Sequence, residues 1–334
     1  MWLKRTTTHF SPKKQPVANI EEEVQHASTA SDVRTLVPLS KEGLEYLKQS
    51  YPLVKNENDV EQLQNELKGG NEYGFSPLFD PKLVDACCKR GIFPLTLSIG
   101  SNYFIFAPKL HVKRSLCIFD ETGRSLIGVP DCDIFTPQKM HPSRKLLKEC
   151  DPKSKKPAFT VFINRKEDVA DVLNLIRRQH TENWLCKALR LCIVYMFEHP
   201  ELFTTKIIIT AIRRAKYDGE EAPVGDDMIH EGELIAGEVG YIVGDIYSSA
   251  TGGYCMSGAG SLQLAVLGAI LHQCGCSVWD LGMRLKYKEE CLGSVEVSRR
   301  KWVNLAKSRA TSSINYENLA IYKNGVPVRQ VLKQ

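Results

Sequence analysis

Apolar positions along this chain recur at helical spacing in its first part and at mixed strand and helix spacing further on. Residues 40–51 and 60–67 carry the period of short amphipathic helices, and Lys68-Gly69-Gly70-Asn71 then breaks the pattern. Asp80-Pro81 opens another helix, because proline's fixed φ and missing N–H suit the first helical position. Leu83, Val84, Cys87 and Cys88 share one face of it, Gly91 ends it and Pro94 prevents its resumption. Residues 103–107 are aromatic and apolar enough for a strand.

From residue 158 the periods alternate. A strand is predicted over 159–163 and helices over 167–180 and 184–198. Val169, Val172, Leu173 and Ile176 line one face of the first helix, and Leu185, Leu189, Cys192 and Met196 one face of the second. A β-branched strand follows over 206–213, then two strands over 233–251 that turn at Gly244-Asp245. The glycine-rich stretch GGYCMSGAGS leads into an apolar helix over 262–272, a short strand over 277–281 and a last helix capped by Ser298. This succession predicts an α+β fold, a mixed β-sheet flanked by helices, with a small N-terminal α/β domain. The expected limits are a disordered tail over 1–40, the small N-terminal domain over 41–119, a basic connector over 120–157, the main domain over 158–310 and a C-terminal tail over 311–334.

With 334 residues, 43% hydrophobic and 25% charged, the chain has the composition of a globular protein with real cores. A net charge of +5 suits an anionic partner without requiring one. No apolar run approaches the roughly 18–20 residues of a membrane span, so no membrane partner is expected. The opening MWLKRTTTHFSPKKQ lacks the apolar core of a secretory signal, and Glu21, Glu22 and Glu23 soon follow. Eleven scattered cysteines without Cys-x-x-Cys spacing read as reduced, mostly buried thiols of a cytoplasmic protein, with no metal expected. The run HPSRKLLKECDPKSKKP reads either as a solvated linker or as a surface that contacts phosphates.

Several segments carry chemistry, and together they point to a family. DPKLVDACCKRGIFPL (80–95) is a helix running into a Gly-Ile-Phe-Pro turn, and LHVKRSL (110–116) is a basic motif. Asn183-Trp184 heads a helix, ELIAGEVGYIVGDIY (233–247) is a hairpin, Val278-Trp279-Asp280 is a strand end, and LGSVEVSRRKW (292–302) closes the series. In this order, over roughly residues 66–309, they resemble the leucyl/phenylalanyl-tRNA–protein transferases. The resemblance implies a main domain of the acyl-CoA N-acyltransferase fold. It also implies transfer of Leu or Phe from aminoacyl-tRNA to the N-terminal Arg or Lys of a protein, which marks that protein for degradation. Aminoacyl-tRNA is then the co-substrate, no cofactor is needed, the partners are tRNA and proteins with basic N-termini, and a monomer is expected.

Such a reaction joins an ester at the tRNA 3′ end to a protein α-amine whose unperturbed pKa is near 8. It calls for a group that accepts or orients the amine proton, donors for the developing oxyanion, an apolar pocket, and cations for the acceptor stem. On the resemblance, Asp280 is the catalytic candidate, although from its strand-end position alone it reads equally as a capping or salt-bridging aspartate. Phe93, Phe104, Phe106 and Trp184 are the pocket candidates, and His111, Lys113, Arg114, Arg284, Lys286, Arg299 and Arg300 the tRNA-binding ones. Two positions depart from the family. Ser249-Ala250-Thr251 stands where the family has Gly-Glu-Ser, and Gly282 stands where it has Gln. Neither Ala250 nor Gly282 can accept a proton, leaving a water or a neighbour such as Glu238, Asp245 or Glu289 to do so. The stretch CMSGAG (255–260) is similar to the pyrophosphate loop of CoA-dependent N-acyltransferases, which is the alternative enzyme reading. A catalytically inactive degron- or tRNA-binding relative is the alternative without turnover.

Overall fold

Helices begin where the sequence supplies an acceptor for their first N–H groups. The computed structural model describes residues 19–99, 103–128, 134–135, 159–182, 184–214 and 232–333. Its first part holds α1 (Ile20–Thr29), β1 (Thr35–Leu36), α2 (Lys41–Ser50), α3 (Glu57–Glu66), β2 (Leu78–Phe79), α4 (Pro81–Lys89), β3 (Thr96–Ser98) and β4 (Phe104–Phe106). Asn19, Ser40, Asn56 and Asp80 cap these four helices, and Asn56 does so in a reciprocal capping box with Asp59. Then come β5 (Lys113–Ile118), α5 (Glu121–Ile127), β6 (Phe159–Ile163), α6 (Val169–His180), α7 (Lys187–Glu198) and β7 (Lys206–Arg214). The hairpin β8 (Glu233–Val243) and β9 (Ile246–Tyr254) leads to α8 (Ala259–Gln273), β10 (Val278–Asp280), α9 (Lys286–Leu292) and β11 (Val295–Ser298). Last are α10 (Arg299–Arg309), capped by Ser298, α11 (Tyr316–Ala320), β12 (Val326–Pro327) and α12 (Val328–Val331).

Eight strands form one mixed sheet in the order β11-β5-β10-β9-β8-β7-β6-β12. Every neighbouring pair is antiparallel except β9 and β10, which are parallel and joined through α8. The two-residue period of a strand divides the side chains between the faces. Val239, Tyr241 and Val278 pack with residues of α4, α6, α7 and α10. Ile242, Tyr247 and Trp279 lie in the second core with α8 and the C-terminal elements. The observed class is therefore the expected mixed sheet flanked by helices.

The expected domain limits need correction. Helix α1 falls inside the segment read as a tail, yet Ile20 and Ala27 are buried against the same core as α7. Its few apolar positions alternate with acidic ones, which hides the period. The limit at 119 places β5 in a separate N-terminal domain, whereas β5 pairs with β10 and β11 inside the main sheet. The core that holds α3 and α4 is continuous with that of α6 and α7. The segment read as a C-terminal tail adds strand β12 to β6 and buries Val328 and Val331. The basic run at 141–157 lies outside the described residues. Among the described residues, no helix is long and apolar enough to cross a membrane. The described cysteines all carry free thiols, and all but Cys255 and Cys291 are buried.

Candidate functional site

An apolar cleft of about 470 Å³, its open mouth included, lies on the α4/α7 side of the sheet. Val84 and Cys88 of α4, Phe93 and Pro94 of the turn after it, Leu185 and Ile193 of the α7 segment, and Val239 and Tyr241 of β8 line it. Exposure gives its depth. Trp184, 45% exposed, marks the lip, while Val84, Cys88, Val239 and Tyr241 are buried at the floor. The third wall comes from a bulge. Val239 pairs with Thr251 and Gly240 with Ser249, so Ala250 is the extra residue on β9, and Ala250 and Thr251 both line the cleft.

Beneath this cleft on the same face sits a buried ion pair. Arg114 and Asp280 are both 0% exposed, and the guanidinium meets the carboxylate through both oxygens. Asp280 Oδ1 also accepts from the Gly282 N–H at 2.9 Å, and its Oδ2 accepts from Ser248 Oγ at 3.0 Å. Arg114 donates its remaining arm to His111 Nδ1 at 2.6 Å. That contact fixes the imidazole with its proton on Nε2, because arginine can only donate. The guanidinium carbon lies 5.7 Å from the Phe93 ring centroid and 5.1 Å from that of Trp302, so the pair props the cleft wall through Phe93. Gly282 adopts φ +77, which glycine alone takes without strain, and that turn aims its N–H at Asp280.

Burial and the adjacent Arg114 charge hold the His111 pKa down at about 2. In the unfolded chain the same imidazole titrates near 6.5, so below that pH the unfolded state binds a proton that the folded state refuses. Stability is therefore expected to fall as pH drops from about 6.5, by up to about 1.4 kcal/mol per unit for one proton. His111→Gln keeps an acceptor for Arg114 without a titrating ring, and denaturant midpoints measured between pH 7 and 5 should vary less in this variant.

The opposite face of the sheet holds a second polar group. Glu238 is buried and accepts from Tyr247 Oη at 2.8 Å, Ser249 Oγ at 2.6 Å and Gln263 Nε2 at 2.8 Å, and the Trp279 indole donates to Ser249 Oγ at 2.9 Å. Burial raises the Glu238 pKa against these hydrogen bonds. Tyr247 reaches Glu238 because Gly240 has no side chain, since a Cβ there would stand 2.1 Å from the phenol oxygen. Nearby, burial holds the Lys288 ammonium pKa down at about 8, and its Nζ donates to the Leu281 and Met283 carbonyls.

The expected site residues divide accordingly. Phe93 and Trp184 line the cleft. Phe106 instead packs in the core against Phe79 at 6.0 Å between ring centroids, and Phe104 packs partly buried against the same core. Asp280 lies beneath the cleft with both oxygens already bonded, so it touches neither an incoming amine nor a basic N-terminal side chain. The expected charged groove is also corrected. Arg114 and His111 are buried, and Arg299 is spent on the carbonyls of Leu67, Asn71 and Leu110. Lys113, Arg284 and Lys286 are exposed but pair with Glu296, Glu289 and Glu290. Arg300 is exposed. Of the carboxylates weighed as substitutes for the family's glutamate, Glu238 is on the far face, Asp245 pairs with Arg309 and Glu289 with Arg284. Among the described residues the cleft lining carries no carboxylate or imidazole, and no group of side chains could hold a metal ion.

Sequence reasoning passed over Tyr241, Val239 and Thr251, although all three lie in or beside the quoted hairpin. Their sign was strand alternation, which puts Val239 and Tyr241 on one face and Glu238 on the other. Cations near the mouth were passed over too. Arg178, exposed at the end of α6, Lys187, exposed at the start of α7, and His180, whose Nε2 donates to the Gly252 carbonyl at 2.8 Å, all sit within a turn of cleft-lining residues. No protein-family model matches the chain, and no curated protein matches it either.

Proposed function

We propose that this protein is an aminoacyl-tRNA–protein transferase of the leucyl/phenylalanyl type, on an acyl-CoA N-acyltransferase-like fold, and that the cleft seats the side chain of the aminoacyl donor. The observation that carries the reading is the cleft itself. Phe93, Trp184, Val239 and Tyr241 enclose a volume suited to one large apolar side chain, and the Gly-Ile-Phe-Pro turn that supplies Phe93 is the segment most like that family. Arg178, His180 and Lys187 flank the mouth, where the phosphates of a tRNA 3′ end need positive charge.

In the transfer the acceptor's α-amine nitrogen attacks the ester carbonyl carbon. The peptide bond forms, the ester C–O bond breaks, the amine gives up a proton, and the ribose hydroxyl leaves protonated. The cleft holds the donor in place and excludes water from one side of it, which accelerates the step by orientation. It brings no carboxylate or imidazole to the amine among the described residues. The amine's own ionisation then governs the rate, which should rise with pH through about 8 and level off above it. The test is transfer of radiolabelled Leu or Phe from its tRNA to a peptide with N-terminal Arg or Lys, followed across pH 6 to 9.5. A plateau reached below pH 7 would mean that a protein group acts as the base. The bare lining also favours a second reading, a binder without turnover, and this is the outcome if the tRNA binds in a salt-sensitive way but no label reaches the peptide.

A further inference from the structure

One polar atom in the cleft has no role in the proposed transfer. Tyr241 is 4% exposed and lines the floor, and its Oη is buried without a hydrogen-bond partner among the described residues. A buried phenol normally finds a partner, because leaving it unpaired forfeits what it had in water. The other groups at the floor, Val84, Cys88, Ile193 and Val239, offer at most a weak thiol. Nearby Ser248 is already committed to Asp280. Burial and the surrounding charges also push the Tyr241 pKa up, so its hydroxyl stays protonated and available as a donor.

The walls constrain what can meet that hydroxyl. The Phe93 ring and the Trp184 indole stand towards the mouth, so a planar side chain entering between them reaches Tyr241 with its far end. We infer that the cleft is built for an aromatic side chain with a hydrogen-bonding atom at its tip, a tyrosyl group in preference to phenylalanyl or leucyl. This rests on the reading of the cleft as an aminoacyl site. A leucyl or phenylalanyl tip leaves Tyr241 unpaired in the filled cleft, whereas a tyrosyl phenol both accepts from it and is itself paired. Sites that pair a substrate hydroxyl discriminate strongly against the analogue lacking it, because the unpaired partner is then sealed from water.

The test uses non-hydrolysable donors, 3′-aminoacylamido-3′-deoxyadenosines carrying tyrosyl, phenylalanyl or leucyl groups, titrated by calorimetry into the full chain and into Tyr241→Phe. The tyrosyl compound should bind about tenfold or more tighter than the phenylalanyl one, and Tyr241→Phe should erase that difference while leaving phenylalanyl and leucyl binding as tight as before. Tyr241→Phe should also be at least as stable as the parent, because it removes an unpaired buried hydroxyl. Phenylalanyl or leucyl compounds binding as tightly as tyrosyl overturn the inference and leave the aminoacyl reading standing. Failure of all three compounds to bind overturns the aminoacyl reading, and the inference with it.

Discussion

Asp280→Ala is expected to cost about 3–5 kcal/mol of folding stability, because it strands the fully buried Arg114 guanidinium without its counter-charge. Serine 248 and the Gly282 N–H lose their acceptor in the same step, and His111 cannot replace it, since Arg114 already donates to that ring. Denaturant titration followed by circular dichroism reads the loss directly. A hydrophobic replacement of both partners, Arg114→Met with Asp280→Leu, should recover most of it, since buried ion pairs are often replaceable by apolar residues of similar volume. Loss of turnover with an unchanged unfolding midpoint would return Asp280 to the role of a group that works on substrate. In the expected case Asp280 acts through Arg114 and Phe93, as a support for the cleft wall.

That pair also shows what the sequence made legible. Asp280 stood out as a carboxylate at the end of an apolar strand, and Arg114 as part of a basic motif, but 166 residues separate them. Only the placing of β5 beside β10 joins them, and sheet neighbours remote in sequence leave no local period to read. An arginine pointing into a core also breaks the apolar run by which a strand is recognised, so β5 read as a surface motif. Elements with strong local rules were legible. Pro81 after a capping Asp80 opened α4 as expected, and the turn at Gly244-Asp245 joined β8 to β9. Phe93 and Trp184 were found because they flank a helix stop and a helix start, where chain direction changes and a cleft can open. The bulge at Ala250 escaped notice because it depends on how two strands pair, and it is what turns Ala250 and Thr251 towards the cleft.

The segment first read as a tail supports the other end of that cleft. Arg190 of α7, 1% exposed, spans Glu23 of α1 with bonds of 2.7 and 3.0 Å, and it also donates to Glu182 at 2.7 Å and to the Leu185 carbonyl at 2.8 Å. Leu185 lines the cleft and follows Trp184 at the lip, so one buried cation ties the N-terminal helix to the wall that a donor must pass. Arg190→Met keeps much of the stem's packing and removes the charge. It leaves the Glu23 carboxylate buried and unpaired, at an expected cost of about 3–5 kcal/mol at pH 7. Burial without a cation then raises the Glu23 pKa above its unfolded value of about 4.3. In the variant the folded state binds the extra proton, so the deficit relative to the parent should shrink as pH falls from 7 towards 5. Donor analogues should bind more weakly as well, since the Leu185 carbonyl has lost its donor and the lip its anchor. Unfolding curves at both pH values, together with the calorimetric titrations, check the two halves of this expectation. A deficit that does not change with pH, with analogue binding untouched, would mean that α1 packs on α7 without steadying the cleft.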